Sequence, residues 1–169
     1  MDHVEPEQIL WISRLRKRKS GERTRNEFLR KNPFFENLSD KQLKVLAQHL
    51  QERSYQENEF IFEANHPGAA LFIIVSGEVS VETQGTQQLA LIQAGEFIGE
   101  LALLDGSPRS ASARATQPTK AFALFRGDLE SLTKEEPMIT TEIYRGLAWV
   151  IGERLKAFNR KIDIQKKAA

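Results

Sequence analysis

The stretch from Phe97 to Ser112, Phe-Ile-Gly-Glu-Leu-Ala-Leu-Leu-Asp-Gly-Ser-Pro-Arg-Ser-Ala-Ser, constrains this chain more than any other. Gly99 opens a run of good helix formers, Glu100 to Leu104, that is long enough for only about one turn. Asp105-Gly106 closes the run, because glycine adopts the left-handed conformation that ends helices. Pro108 then sets the backbone just before Arg109. A helix this short still presents the unpaired N–H groups of its first turn, which can cradle an anion. Arg109 adds a fork of donors suited to two-point contact with a phosphate. A carboxylate at Glu100 would repel that anion, so it makes sense only if the ligand also offers a hydroxyl.

One small anion, one hydroxyl such as a ribose 2′-OH, and an apolar wall describe a cyclic nucleotide. Phe-x-Gly-Glu-Leu-Ala-Leu at 97–103, followed by Pro-Arg-x-Ala-Ser at 108–112, resembles the phosphate-binding cassette of cyclic nucleotide-binding domains. The resemblance implies that Glu100 meets the ribose hydroxyl and Arg109 the cyclic phosphate. Backbone amides of the turn Gly99, Glu100, Leu101 and Ala102 complete the phosphate site in that family. Ser110, next to Ala111, falls where the family's residues bear on base choice. Small residues there go with cyclic AMP and threonine with cyclic GMP, so serine leaves both open. Cyclic AMP is the expected ligand, because the catabolite-activator branch also carries serine there. The same alignment puts Val81, Leu89 and Ala90 on the sugar and base side, although by themselves they read equally well as core residues. It also puts Phe158 and Asn159 over the base, where Asn159 offers both a donor and an acceptor.

The rest of the chain agrees with that fold. From Arg53 to Phe125, short apolar stretches alternate with turn residues, and Gly68, Gly77, Gly85 and Gly95 punctuate them at even spacing. This pattern predicts an all-β sandwich or roll. Val79 and Val81, then Leu89 and Leu91, alternate with their neighbours across Gln84-Gly85 as hairpin strands do. Asn58 stands where many relatives have glycine, and asparagine tolerates the left-handed conformation. Ahead of the roll, Ser39 is a predicted N-cap with Gln42 at capping-box spacing, leading a helix to about residue 50. Behind it, Asp128 is read as the cap of a short helix through Thr133. A long helix over about 138–163 follows, loosened at Gly146 and Gly152. The expected architecture is α+β: an antiparallel β-roll (a double-stranded β-helix or jelly roll) over about 53–125, with N-terminal helices on one side. Its C-terminal helices, about 127–163, end in a lid helix. In the family that helix swings over the ligand, and in some members it pairs two subunits.

Residues 1–32 read as a separate basic arm, and 33–165 as the binding domain. The overall charge of +1 hides an asymmetry, since Arg14 to Lys31 holds nine Lys/Arg against Glu22 and Glu27. Helices are predicted over 5–19 and 22–31, the second stopped by Asn32-Pro33. Read alone, the arm is a solvated helix or a dock for an acidic protein; the same charge suits nucleic acid or an anionic membrane. The absence of cysteine excludes disulfides, thiolate catalysis and iron–sulfur clusters. Three histidines with no His-x-His pair do not suggest a metal-dependent β-roll enzyme. No apolar run approaches the roughly 20 residues of a membrane span, and charges interrupt any signal-peptide core. The sequence ends at Lys166-Lys167-Ala168-Ala169, before the position where the catabolite-activator branch continues into a DNA reader. The expectation is therefore a cytoplasmic, non-enzymatic, metal-free sensor of cyclic AMP, with cyclic GMP as the alternative ligand. It would stand alone and signal by shape change to a protein partner through the arm or the last helix. Pairing with a second copy is compatible with this reading, and DNA is disfavoured as a partner. A β-roll scaffold that binds no ligand is the competing reading.

Overall fold

The computed structural model describes residues 25–84 and 87–168. The expected helix over 5–19, most of the basic arm and Gly85 in the second hairpin lie outside the described residues. Helix α1 (Arg25–Lys31) stops before Pro33, which disfavours helix at Asn32. A single 3-10 turn, Pro33–Phe35, follows, and the Asn32 side chain accepts a hydrogen bond from Phe34 N–H at 3.0 Å. Helix α2 (Asp40–Gln48) opens on the expected capping box. Ser39 Oγ accepts from the Gln42 amide, and Gln42 Oε1 accepts from the Ser39 amide at 2.9 Å.

Eight strands then form β1 (Leu50–Tyr55), β2 (Phe60–Phe62), β3 (Ala70–Ser76), β4 (Glu78–Glu82), β5 (Gln88–Gln93), β6 (Phe97–Ile98), β7 (Ser112–Ala115) and β8 (Thr119–Phe125). They make two antiparallel four-stranded sheets, ordered β1-β8-β3-β6 and β2-β7-β4-β5. The central strands of the first sheet, β3 and β8, are buried on both faces. One face (Phe72, Ile74, Ala121, Ala123) meets Val79, Ile92 and Ala113 of the second sheet inside the roll. The other (Leu71, Ile73, Phe122, Leu124) packs on Leu29, Leu46, Leu132 and Ile143 of the helices. Double burial is why β3 is an unbroken apolar run, whereas strands with one wet face alternate. The antiparallel β-roll and the α+β architecture are as expected. So is the left-handed backbone of Asn58, with φ of 67°.

The hairpin of β4 and β5 differs in detail. Val79 lies opposite Ile92 and Val81 opposite Ala90, and the register then shifts so that Glu82 faces Gln88. The shift falls at Leu89. Ile92 is therefore the β5 residue that enters the core, while Leu91 lies opposite Ser80 and is exposed. A one-residue offset exchanges the two faces of a strand, so the alternation of Leu89 and Leu91 did not mark Ile92 as the core residue.

Helix α3 (Glu100–Asp105) is the short helix expected between two glycines, both left-handed: Gly99 with φ of 83° and Gly106 with φ of 74°. Helix α4 (Arg126–Glu135) starts three residues earlier than expected, with Phe125 at the N-cap, so Asp128 sits in its first turn and interacts with the helix dipole instead of capping it. Helix α5 (Pro137–Ala168) buries Ile139, Ile143, Leu147 and Val150.

The two glycines of α5 are not alike. A Cβ at Gly146 would stand 2.1 Å from the Phe34 ring, which fills the notch that Gly146 leaves. That ring also meets Phe35 edge-on at 4.8 Å and Phe97 at 4.5 Å. A Cβ at Gly152 would meet nothing within 4 Å. Gly146 is thus a packing requirement, and only Gly152 fits the expected loosening role. Gly146→Ala should lower the unfolding midpoint, because overpacking by about 1–3 kcal/mol outweighs the helix-propensity gain. Gly152→Ala should raise it, by up to about 1 kcal/mol. Denaturant titration of both variants tests this, and equal shifts would mean the Phe34 ring gives way freely.

Candidate functional site

Six residues cannot hold a helix by themselves, and α3 is held in place by three arginines from three different elements. Arg109, on the loop between α3 and β7, donates from Nη1 to Gly99 O at 2.9 Å and from Nη2 to Ala70 O at 2.8 Å. Arg126, at the start of α4, donates to the carbonyls of Ala102 and Leu103, where the helix leaves its C-terminal acceptors unpaired. Arg154, on α5, donates from Nη1 to Glu100 Oε1 at 2.6 Å and from Nη2 to Phe97 O. The sequence reading picked out only the first of these. No contact with α3 was read for Arg154, and nothing in the local pattern links Arg126 to α3.

Arg109 is 5% exposed, and no carboxylate pairs with it among the described residues. Its Nε has no hydrogen-bond partner. Burial pulls the guanidinium below its ordinary pKa, and the nearby Glu100 carboxylate only partly opposes that. Room for it depends on two glycines. A Cβ at Gly68 would stand 2.6 Å from Nε, and one at Gly99 would stand 2.4 Å from Nη1. The backbone on either side is anchored as well, with Arg109 N–H donating to His66 O at 3.0 Å and Arg109 O accepting from Asn65 N–H at 2.8 Å. A buried cation with a spare donor, beside the first-turn amides of a helix, is an arrangement that takes an anion.

Glu100 is buried at the start of α3 and pairs with Arg154. Arg154 also acts on Glu96, whose carboxyl is pushed up chiefly by burial, against an N–H bond from Gln93 and the attraction of that arginine. Ala102 and Ala111 are buried beside Arg109 in sequence and space, while Leu101 and Ser110 are exposed. Val81 is half-buried at the roll interior, and Leu89 is exposed at the register shift. Phe158 and Asn159 lie on an exposed stretch of α5, beyond Arg154. The structure thus gathers Gly99, Glu100, Ala102 and Arg109 around one point. It leaves Leu89, Phe158 and Asn159 open to solvent. Among the described residues no group of His, Asp or Glu is disposed to hold a metal, and no helix is long and apolar enough to cross a membrane.

A β-roll that carries a short, glycine-bounded helix and an uncompensated buried arginine is an anion-binding regulatory fold. The model of the cyclic nucleotide-binding domain matches residues 52–136, half of the chain, and the chain belongs to that family. It is 33% identical over 137 residues to the cyclic AMP receptor protein of Thermus thermophilus, covering 79% of this chain and 62% of that one. It is 30% identical over 140 residues to human cGMP-dependent protein kinase 2, covering 83% of this chain and 18% of the kinase. A cyclic nucleotide-binding domain from Methylobacillus flagellatus superposes with a TM-score of 0.75 at 28% identity, covering 83% of this chain and 82% of that one. The chain thus spans under two thirds of each of these two curated relatives.

The clearance at Gly68 can be tested. Gly68→Ala should push the Arg109 side chain from its seat and weaken cyclic-nucleotide binding roughly tenfold or more, the worth of one charge-assisted hydrogen bond. Calorimetric titration of a variant with an unchanged unfolding midpoint provides the measurement. Wild-type affinity would mean that the loop at 65–69 shifts instead.

Proposed function

We propose that the protein is a sensor of cyclic AMP, that residues 33–165 form the binding unit, and that binding is reported to a protein partner by a change of shape. The observation that carries this reading is the state of Arg109: buried, without a carboxylate, and with Nε unpartnered. A buried cation left so is costly unless an anion arrives. In this reading Arg109 takes the cyclic phosphate together with the amides of Gly99, Glu100, Leu101 and Ala102. Ser110 and Ala111 flank the phosphate. Val81 and Leu89 contact the sugar and base, and Asn159 reaches the base when the end of α5 closes.

Glu100 would serve two partners. Arg154 takes Oε1, and the other carboxylate oxygen is left for a ribose hydroxyl. The link from Glu100 through Arg154 to α5 gives ligand occupancy a direct way to bias that helix, the element proposed to carry the signal. The basic arm, 1–32, or α5 would present the partner surface, and α5 is also where a second copy would pair. No catalytic role is proposed, and the expected location is cytoplasmic. Cyclic GMP is the second ligand, because Ser110 is exposed and its hydroxyl is open to a base.

Titration with both nucleotides tests the reading. Arg109→Ala should lower affinity for cyclic AMP by roughly 2–5 kcal/mol, because an anion is left without its buried cation. Glu100→Ala should lower it less, by about 1–3 kcal/mol, and should narrow the difference between ribose and 2′-deoxyribose ligands. An Arg109→Ala variant that binds within a factor of two of wild type removes Arg109 from the site. A wild-type protein that takes neither nucleotide leaves the scaffold reading.

A further inference from the structure

The charge of Arg109, with no carboxylate paired to it among the described residues, also meets two aromatic rings. Its guanidinium carbon lies 4.2 Å from the centroid of the Phe62 ring and 5.8 Å from that of Phe72. Phe62 comes from β2 in one sheet and Phe72 from β3 in the other, with the two rings 5.9 Å apart and inclined at 33°. The guanidinium therefore sits at the seam of the roll, its edge fixed by the carbonyls of Gly99 and Ala70 and one side set against an aromatic wall. Carbonyls and aromatic faces have a property in common that a carboxylate lacks: they stabilise a cation without cancelling its charge. A carboxylate in the place of Phe62 would hold Arg109 equally well, but it would compete with any incoming anion.

We infer that Phe62 is a positioning residue of the anion site: its π face holds the Arg109 guanidinium in the orientation that receives the phosphate and leaves its positive charge available. The inference rests on the proposal that Arg109 binds the phosphate of a cyclic nucleotide. It adds a residue on β2, far from α3 in sequence, that never needs to touch the ligand. Phe62 faces Ala113 across the β2–β7 pair, so the small side chain there leaves space for the ring beneath Arg109.

The test must separate the π face from simple filling of space. Replacing Phe62 by rings with one, two and three fluorines, through unnatural-residue incorporation, preserves size while progressively withdrawing electrons from the face. Affinity for cyclic AMP should fall stepwise, reaching roughly five- to tenfold at three fluorines. Phe62→Trp should stay within about threefold of the wild type, and Phe62→Leu should lose roughly tenfold. A flat fluorine series overturns the inference, since it would make the ring mere packing. A second measurement uses no ligand: unfolding midpoints of the fluorinated proteins with Arg109 and with Arg109→Met. The midpoint should depend on fluorine number only when Arg109 is present, and equal dependence in both backgrounds also overturns the inference. If the wild-type protein binds neither cyclic AMP nor cyclic GMP, the ligand reading and the positioning role fall together. The stack itself is then judged by the unfolding series alone.

Discussion

The guanidinium of Arg109 is the point through which the other parts of the binding region are related. It connects β3, through Ala70, to the start of α3, through Gly99, and it rests on rings from both sheets. Its position in turn requires bare backbone at Gly68 and Gly99. All of this is arranged around a charge that no carboxylate among the described residues pairs with directly, although Glu100 acts on it at longer range. Hydrogen bonds to carbonyls and contact with aromatic faces keep such a cation tolerable in a buried place.

Helix α3 is too short to persist on its own hydrogen bonds. Its carbonyls at the C-terminal end receive Arg126, its first residue pairs with Arg154, and the residue before it receives Arg109. The three arginines belong to different layers: the loop before β7, the start of α4 and the middle of α5. Any displacement of α3 must therefore be felt in α4 and α5, since charge-assisted bonds to main-chain carbonyls are strong and directional. Gly106 contributes here too, because its missing side chain makes room for the Arg126 guanidinium.

A second route joins α5 to the same region through aromatic packing. Phe34, in the turn after α1, lies in the notch at Gly146 and against Phe97 of β6. Asn32, buried beside it, donates to Gly95 O at 3.0 Å just ahead of β6. The helices before the roll, the strand that leads into α3 and the long last helix thus share one interface. Movement of α5 would have to displace a ring as well as break the ion pair with Glu100.

The primary sequence was enough for the parts of this protein that depend on local chemistry. The capping box at Ser39 and Gln42, the glycines that bound α3 and the left-handed Asn58 were all legible, because turns, caps and short motifs are decided within a few residues. The antiparallel roll was legible from even turn spacing and apolar alternation. Tertiary structure decided what depends on residues far apart in the chain. Which face Leu91 presents was set by a register shift in the hairpin. Whether Gly146 loosens a helix or seats a ring was decided by Phe34, more than a hundred residues away. Arg126 and Arg154 were unreadable as supports of α3, because Arg126 bonds to carbonyls, which every residue has, and Arg154 reaches Phe97 O and the Glu100 carboxylate from more than fifty residues away. The same holds for Phe62. An aromatic residue in a strand reads as core, and only the approach of a buried arginine from another element shows that its ring faces a cation.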